Sequence, residues 1–347
     1  GVEGNRYNFR IARKYDRPHI RHAKRRDTFS PGRRLTPRRE TCPHTPYRKG
    51  RTMQEKTIYA LGFFDGVHLG HQALLNTCKA LAAEYDCAAG VQTFGNHPDA
   101  LVEGKAPGLI NSIADREALL REMGMERVIV LPFDNALMHT PWQDYFQRLL
   151  TEFHAGGIVC GYDFRFGDRG AGNGEKLLSA CKEAGIPCRV VPEQKVEGLT
   201  VSSTRIRGFL AEGNIAEANR FLGHPHRLTG KVVAGHQLGR TMGIPTANIA
   251  VPAGVALPKY GVYACKALVD GKAYPAVTNI GLRPTVGGRH VTVEPWLLDY
   301  DGDLYGRELT LLFYDYLREE RKFQDLDALQ TEIRKNADQT RKFFEKT

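Results

Sequence analysis

His68 and His71 stand three residues apart in GFFDGVHLGHQALL (Gly62–Leu75), behind Asp65 and beside Gly66 and Gly70. Imidazoles at i and i+3 share one face of a helix's first turn, where unpaired backbone N–H groups and the positive end of the helix dipole also lie. Such a pair can bind a metal, fill a core or hold a phosphate. A metal site asks for a third ligand and more often uses i,i+4 spacing, and no adjacent His or Cys supplies one. Glycines let a bulky anion approach the backbone closely. The pattern therefore favours phosphate handling. Imidazole N–H donors there would stabilise charge building on the equatorial oxygens and leaving pyrophosphate as an α-phosphate is attacked in line. Metal binding and a structural pair stay open as alternatives.

A second constellation is GHQLGRTMGIPTANI (Gly235–Ile249), which mixes glycines, a base and the tetrad Pro245-Thr246-Ala247-Asn248. Glycine-rich loops expose N–H groups to phosphates. Thr246 and Asn248 are hard oxygen donors two apart on one side of an extended segment, which suits Mg²⁺ with its retained waters. No GKS or GKT follows, so this is not a Walker loop, and a plain turn is the alternative. Further on, Glu294 lies in VTVEPWLLDYDGDLYG among apolar strand residues. Alternation places it on the face opposite Val293, where a general base beside a hydroxyl nucleophile would be a sensible use. The bland alternative is an exposed strand charge.

The elements that must position these residues fall into two patterns. From Lys56, short apolar runs (TIYAL, CAAGVQTF, ERVIVLPF, AGGIVCGYDF, PCRVVPEQ) alternate with segments of helical periodicity. That predicts a parallel sheet with helices on both faces and ligands beyond the carboxyl ends of its strands. STRIRGFLAEGNIAEANRFLG predicts a helical hairpin, with Asn214 capping its second helix and Gly223 ending it. HPHRL, 224–228, reads as a linker. Beyond it, five strand-like runs separated by turns, then one long helical segment, predict an all-β barrel closed by a C-terminal helix.

The chain has 347 residues and a formal net charge of +10. Residues 1–52 carry 16 Lys+Arg against 4 Asp+Glu, whereas the rest carries 33 against 35. The basic character thus sits in an Arg- and Pro-rich leader without hydrophobic periodicity, expected to be disordered in isolation. It reads as a nucleic-acid arm, a transit peptide, or sequence preceding a start at Met53 and no part of the enzyme; the clean domain start at Met53 favours the last. No apolar run approaches the length that spans a bilayer, and no secretory signal is visible. Seven cysteines without a CxxC pair suggest reduced thiols in a cytoplasm.

GFFDGVHLGH resembles the G-x-F-D-x-x-H-x-G-H box of the HxGH nucleotidyltransferases, and more narrowly that of the bacterial bifunctional riboflavin kinase/FMN adenylyltransferase (FAD synthetase) family. TFGNHPDAL, GYDFRFGDRGAGN, VSSTRIR and LGHPHRLTGKVVAG follow in the family's order. GRTMGIPTANI, LPKYGVYA, NIGLRPTV, LLDYDGDLYG and LREERKF resemble its riboflavin kinase boxes. The resemblance covers about residues 56–345. It implies an α/β, Rossmann-like nucleotidyltransferase domain over 53–223 and a small riboflavin kinase β-barrel with a C-terminal helix over 224–347.

Carried over by position, the resemblance implies that His68 and His71 act on the ATP phosphates. Gly62, Phe63, Asp65, Gly70, Ser203, Thr204 and Arg207 would bind ATP in the first domain, and His97 and Asp163 would lie toward the flavin or phosphate. The alternatives are a turn residue for Asp163 and a helix N-cap for Ser203. In the second domain, Lys231, Gly239, Arg240, Gly243, Thr246 and Asn248 would bind ATP, with Thr246 and Asn248 on Mg²⁺. Glu294 would accept the proton of riboflavin's 5′-hydroxyl, and Arg318 and Phe323 would close over the flavin.

Four departures stand out. Asp99 replaces a usual basic residue, Arg116 a common Lys, Pro295-Trp296 the usual Thr/Ala-His pair, and Asn336 a common Asp. Asp99 is expected to weaken anion binding on the flavin side, and Pro295 to disturb strand pairing because it has no N–H. Expected ligands are riboflavin, FMN, FAD, ATP and Mg²⁺, with no membrane partner; a homo-oligomer stays open. The rivals are another HxGH transferase, which leaves the second half unexplained, and a nucleic-acid-binding protein using the leader, which the near-neutral body disfavours.

Overall fold

The computed structural model describes residues 56–234, 243–285 and 288–346, with the side chains of 283–290 outside the described part. The basic leader and the predicted ATP residues Gly239 and Arg240 therefore lie outside the described residues. Glu55–Thr347 form one compact unit.

The first half alternates as its periodicity requires. Its elements are β1 (Thr57–Leu61), α1 (Leu69–Glu84), β2 (Ala88–Phe94), α2 (Pro98–Val102), α3 (Ile113–Glu122), β3 (Arg127–Leu131), α4 (Asn135–Met138), α5 (Trp142–Thr151) and β4 (Ala155–Gly161). A small ribbon follows, β5 (Arg165–Phe166) with β6 (Gly172–Asn173), then α6 (Gly174–Glu183) and β7 (Cys188–Val191). A second ribbon, β8 (Lys195–Val196) with β9 (Leu199–Thr200), leads into α7 (Ser203–Glu212) and α8 (Ile215–Leu222). Strands β3-β2-β1-β4-β7 form one sheet in that order, all parallel. Period-2 alternation sends Ile58 and Ala60 to the face covered by α1 and α3, and Tyr59 and Leu61 to the face covered by α5 and α6. The chain reverses direction across the sheet between β1 and β4, so a crevice opens at their carboxyl ends. The ribbons and the short helices α2 and α4 escaped the sequence reading because a two- to five-residue element shows no period.

The second half is a closed barrel, β10-β11-β14-β13-β12-β15. Its strands are β10 (His226–Val233), β11 (Asn248–Ile249), β12 (Gly261–Val269), β13 (Lys272–Thr285), β14 (Gly288–Leu297) and β15 (Glu308–Arg318). Closure leaves the sheet without a free edge. The C-terminal helix Leu326–Glu345 packs on the outside, where Ala337 joins Val262, Val277 and Leu298 in a small core. The extra strand relative to the sequence reading is β11, two residues hidden in the Pro245–Asn248 segment.

The linker reading of 224–228 gives way. β10 starts at His226, and His226, Arg227 and Leu228 are buried. Leu228 belongs to a core that α7 and α8 share with the barrel interior, including Ile206, Leu210, Phe221, Phe313 and Val293. Burying each such side chain contributes about 1.5–3 kcal/mol, so the two halves are joined by packing as well as by chain. Polar contacts reinforce the joint. Asp115 on α3 accepts from Thr229 N (3.0 Å) and Thr229 Oγ1, Arg227 makes a two-toothed pair with Glu122 (2.9 and 2.8 Å), and Leu109 bridges to Val255.

Candidate active sites

The turn after β1 carries the first site. Phe64 (φ 58°), Gly66 (φ 81°) and Val67 (φ 39°) all have positive φ. A β-branched residue in that region is strained and persists only where its surroundings over-determine it. They do so here through the carbonyls. Thr93 Oγ1 (2.8 Å) and Arg116 (2.8 Å) donate to Phe63 O. Ser203 Oγ donates to Asp65 O (3.0 Å), His224 Nε2 lies 3.0 Å from Gly66 O, and Gln72 Nε2 donates to Val67 O (3.0 Å). Gly66 is required on two grounds: its φ, and the 2.9 Å that would separate a Cβ from Ile110 Cδ1.

This turn delivers His68 as the N-cap of α1, extended at φ −65° and ψ 172°, with its side chain accepting from His71 N. The two imidazoles stack at 3.6 Å between centroids, 12° from parallel. Burial pushes His68 down to about 4 and His71 well below the usual histidine value, so both are neutral near pH 7. Because His68 Nδ1 accepts a hydrogen bond, the proton of the neutral ring sits on Nε2, which is left as a donor. No acidic residue occupies the first turn of α1, so the helix end remains attractive to an anion.

Around the histidines, Asp65 is 2% exposed and pairs with Arg207 Nη1 at 2.7 Å, while its other oxygen accepts from Ile110 N at 2.8 Å. Burial raises the Asp65 carboxyl, and Arg207 opposes that rise. The Phe63 ring packs edge-on against His97 (4.7 Å), and the Arg116 guanidinium lies 4.5 Å over its face. His97 caps α2, and Asp99 Oδ2 lies 3.5 Å from its Nδ1. A carboxylate thus stands beside His97, at the position where the resemblance implied a base.

The second site comes from strand register. Ile249 pairs with Val293, and Ala247 N donates to Pro295 O at 2.9 Å. The same antiparallel register sets Asn248 across from Glu294, which is 9% exposed. Thr246 lines an adjoining cavity of about 80 Å³ with Val232, Leu297, Tyr300 and Asp303. Strand pairing with β13 continues through Pro295, opposite Thr278, because the nitrogen and carbonyl of Pro295 both point away from β13, the carbonyl accepting from Ala247 N.

Two family models match the chain, "FAD synthetase" over residues 50–205 and "Riboflavin kinase" over residues 222–344. A bifunctional riboflavin kinase/FMN adenylyltransferase of Listeria monocytogenes is 32% identical over 308 residues, covering 87% of this chain and 97% of the relative. The Escherichia coli K12 protein of the same description is 35% identical, covering 84% and 94%. The chain belongs to the bifunctional riboflavin kinase/FMN adenylyltransferase family. A crystal structure of a Streptococcus pneumoniae protein described as a macrolide-efflux protein superposes with a TM-score of 0.76 at 30% identity, covering 83% of this chain and 95% of that one. Among the described residues, no helix is long and apolar enough to cross a membrane.

Within this family framework, the structure gathers His68, His71, Gly62, Phe63, Asp65, Gly70, His97, Ser203 and Arg207 around one turn. Asp163 is exposed two residues past the end of β4, and Thr204 is exposed on the first turn of α7. The N-cap of α7 is Ser202, accepting from Arg205 N, rather than Ser203, whose hydroxyl is spent on Asp65 O. In the barrel, Lys231 is exposed on β10, and Gly243 is exposed with φ 68°. Arg318 stacks 5.5 Å over Phe323 and donates to Asn336 Oδ1 at 3.0 Å. A carboxylate reaches the same arginine from Glu332, 3.6 Å from Arg318 and 2.6 Å from Arg321. Sequence reasoning missed Gln72, Thr93 and His224. It saw Arg116 only as an Arg in place of a Lys, because side-chain grips on backbone carbonyls leave no spacing signature.

Proposed function

We propose that the barrel transfers the γ-phosphoryl group of ATP to the 5′-hydroxyl of riboflavin, giving FMN and ADP. The α/β half then transfers AMP from ATP to FMN, giving FAD and pyrophosphate. The observation that carries the second step is the stacked neutral pair His68–His71 at the start of α1, at the carboxyl edge of the parallel sheet. A phosphate oxygen of FMN attacks the α-phosphorus, and the bond to pyrophosphate breaks. His68 Nε2–H, His71 and the N-terminus of α1 stabilise the charge on the equatorial and leaving oxygens. Neutral rings act as hydrogen-bond donors here rather than as acids. Arg207 is fixed by Asp65 and adds a positive charge beside the triphosphate.

In the barrel, Glu294 takes the proton of the attacking hydroxyl as the P–O bond to ADP breaks. Thr246 and Asn248 offer neutral hard oxygens on one edge of an extended segment beside that carboxylate, a donor set that fits Mg²⁺. Mg²⁺ would neutralise charge on the ATP phosphates. Asp99 against His97 supports a weakened hold on the FMN phosphate. We place the division between the two activities at residues 223 and 224, and the enzyme in the cytoplasm.

The test is direct. Incubation with riboflavin, ATP and Mg²⁺, followed by chromatographic separation of the flavins, is expected to yield FMN and then FAD. Neither product forming removes the reading; FMN alone removes its second half.

A further inference from the structure

Three successive carbonyls, those of Asp65, Gly66 and Val67, precede His68, and each faces a side-chain hydrogen-bonding group: Ser203, His224 and Gln72. Two of the three grips converge on the turn that ends α8. Gln72 Nε2 also donates to Leu222 O at 2.7 Å. A Cβ on Gly223 would lie 2.5 Å from Leu69 Cδ2 and 3.0 Å from Gln72 Nε2, so this turn sits directly on the first turn of α1. His224 follows at once, 3.0 Å from Gly66 O through Nε2 and 2.9 Å from Pro225 O through Nδ1. His224 lies in the junction stretch LGHPHRLTGKVVAG, to which the sequence assigned no role in adenylyl transfer, and β10 of the barrel begins two residues later.

We propose that His224 is a positioning residue for adenylyl transfer: its Nε2–H holds the Gly66 carbonyl and so fixes the strained turn that presents His68 and His71. The inference rests on the assignment of those histidines to the triphosphate. The physical case is that Phe64 and Val67, on either side of Gly66, sit at φ 58° and 39°, a conformation that residues with a side chain leave unless outside contacts hold it. Transfer between phosphates depends almost wholly on placement, and a displacement of about 1 Å at such a site costs roughly a hundredfold in rate. The grip also explains how the junction with the barrel supports chemistry done in the other half.

The experiment compares His224→Gln, His224→Asn and His224→Ala in the full chain, with His71→Ala as a control. Glutamine can return an amide N–H to the place of Nε2, whereas asparagine reaches only the place of Nδ1. His224→Ala and His224→Asn are expected to lower kcat for FAD formation from FMN and ATP about 10–100-fold, with KM for ATP within a few fold. His224→Gln is expected to recover kcat to within a few fold of the unmodified enzyme, and FMN formation should be unchanged in all three. Unchanged FAD kcat in His224→Ala overturns the proposal. So does an equal fall of both activities, which would mark a general packing role, and so does rescue by asparagine instead of glutamine. If His71→Ala retains FAD formation, the assignment of the histidines fails first; if it abolishes FAD formation while His224→Ala does not, only the role of His224 is lost.

Discussion

The two sites of this chain are fixed by different means. The adenylyl-transfer turn is held from outside by side chains drawn from β2, α1, α3, α7 and His224, two residues after α8, all gripping carbonyls of Phe63–Val67. The kinase site is fixed by backbone register, since the antiparallel pairing of β11 with β14 sets Asn248 across from Glu294. Side-chain grips can impose a conformation the backbone would not adopt alone, at the cost of dependence on distant residues. Register needs no strain, and it protects the site so long as strands pair. The first site should therefore be sensitive to substitutions far along the chain, and the second mainly to its own functional groups.

The largest expected effect separates the sites outright. His71→Ala removes the proposed donor to the transferring phosphate and should lower FAD formation from FMN about 10³-fold, with riboflavin phosphorylation unchanged in the same preparation. Comparable loss of both would mean that the sites are not independent. Glu294→Gln is the mirror experiment. Loss of the base should lower FMN formation about 10²-fold and leave FAD formation from supplied FMN intact; near-normal FMN formation would take the base role from Glu294.

A smaller effect tests dependence at a distance. Arg116 is 1% exposed, donates to Phe63 O and Phe94 O, and reaches the phosphates through neither. Arg116→Met leaves those carbonyls short of a donor, costing about 1–3 kcal/mol of stability. It should lower FAD formation roughly tenfold, while Arg116→Lys should restore much of it. Steady-state kinetics with urea unfolding measures both, and equal damage to the kinase would count against the contrast between the sites.

The smallest effect at neutral pH lies between them. His226 is fully buried with no hydrogen-bond partner for either ring nitrogen among the described residues, and burial pushes it down to about 3. Its folded value lies below its unfolded value of about 6.5. The unfolded chain therefore binds the extra proton first, and stability present above pH 6.5 is lost as pH falls toward 3. Between pH 6.5 and 5 the loss is about 2 kcal/mol. His226→Leu should flatten the dependence of the urea midpoint on pH in that window while changing little at pH 7.5.

The sequence by itself determined the two architectures. Alternating strand and helix periods in one half and short strands with turns in the other are local patterns, and the hydrophobic effect enforces them wherever the chain folds. It also singled out the residues proposed to meet substrate, because that chemistry asks for particular types at close spacing: His68 with His71, Thr246 with Asn248. Tertiary structure alone decided what holds those residues. Ser203 is 138 residues from the carbonyl it grips and His224 is 158 from its own. Contacts of that kind carry no period and no motif, so HPHRL looked like a linker and Arg116 only like an Arg in place of a Lys. Only when the sheet, the α7–α8 hairpin and the barrel close on one another do those side chains meet the turn before His68, and a backbone carbonyl needs a donor from wherever folding brings one.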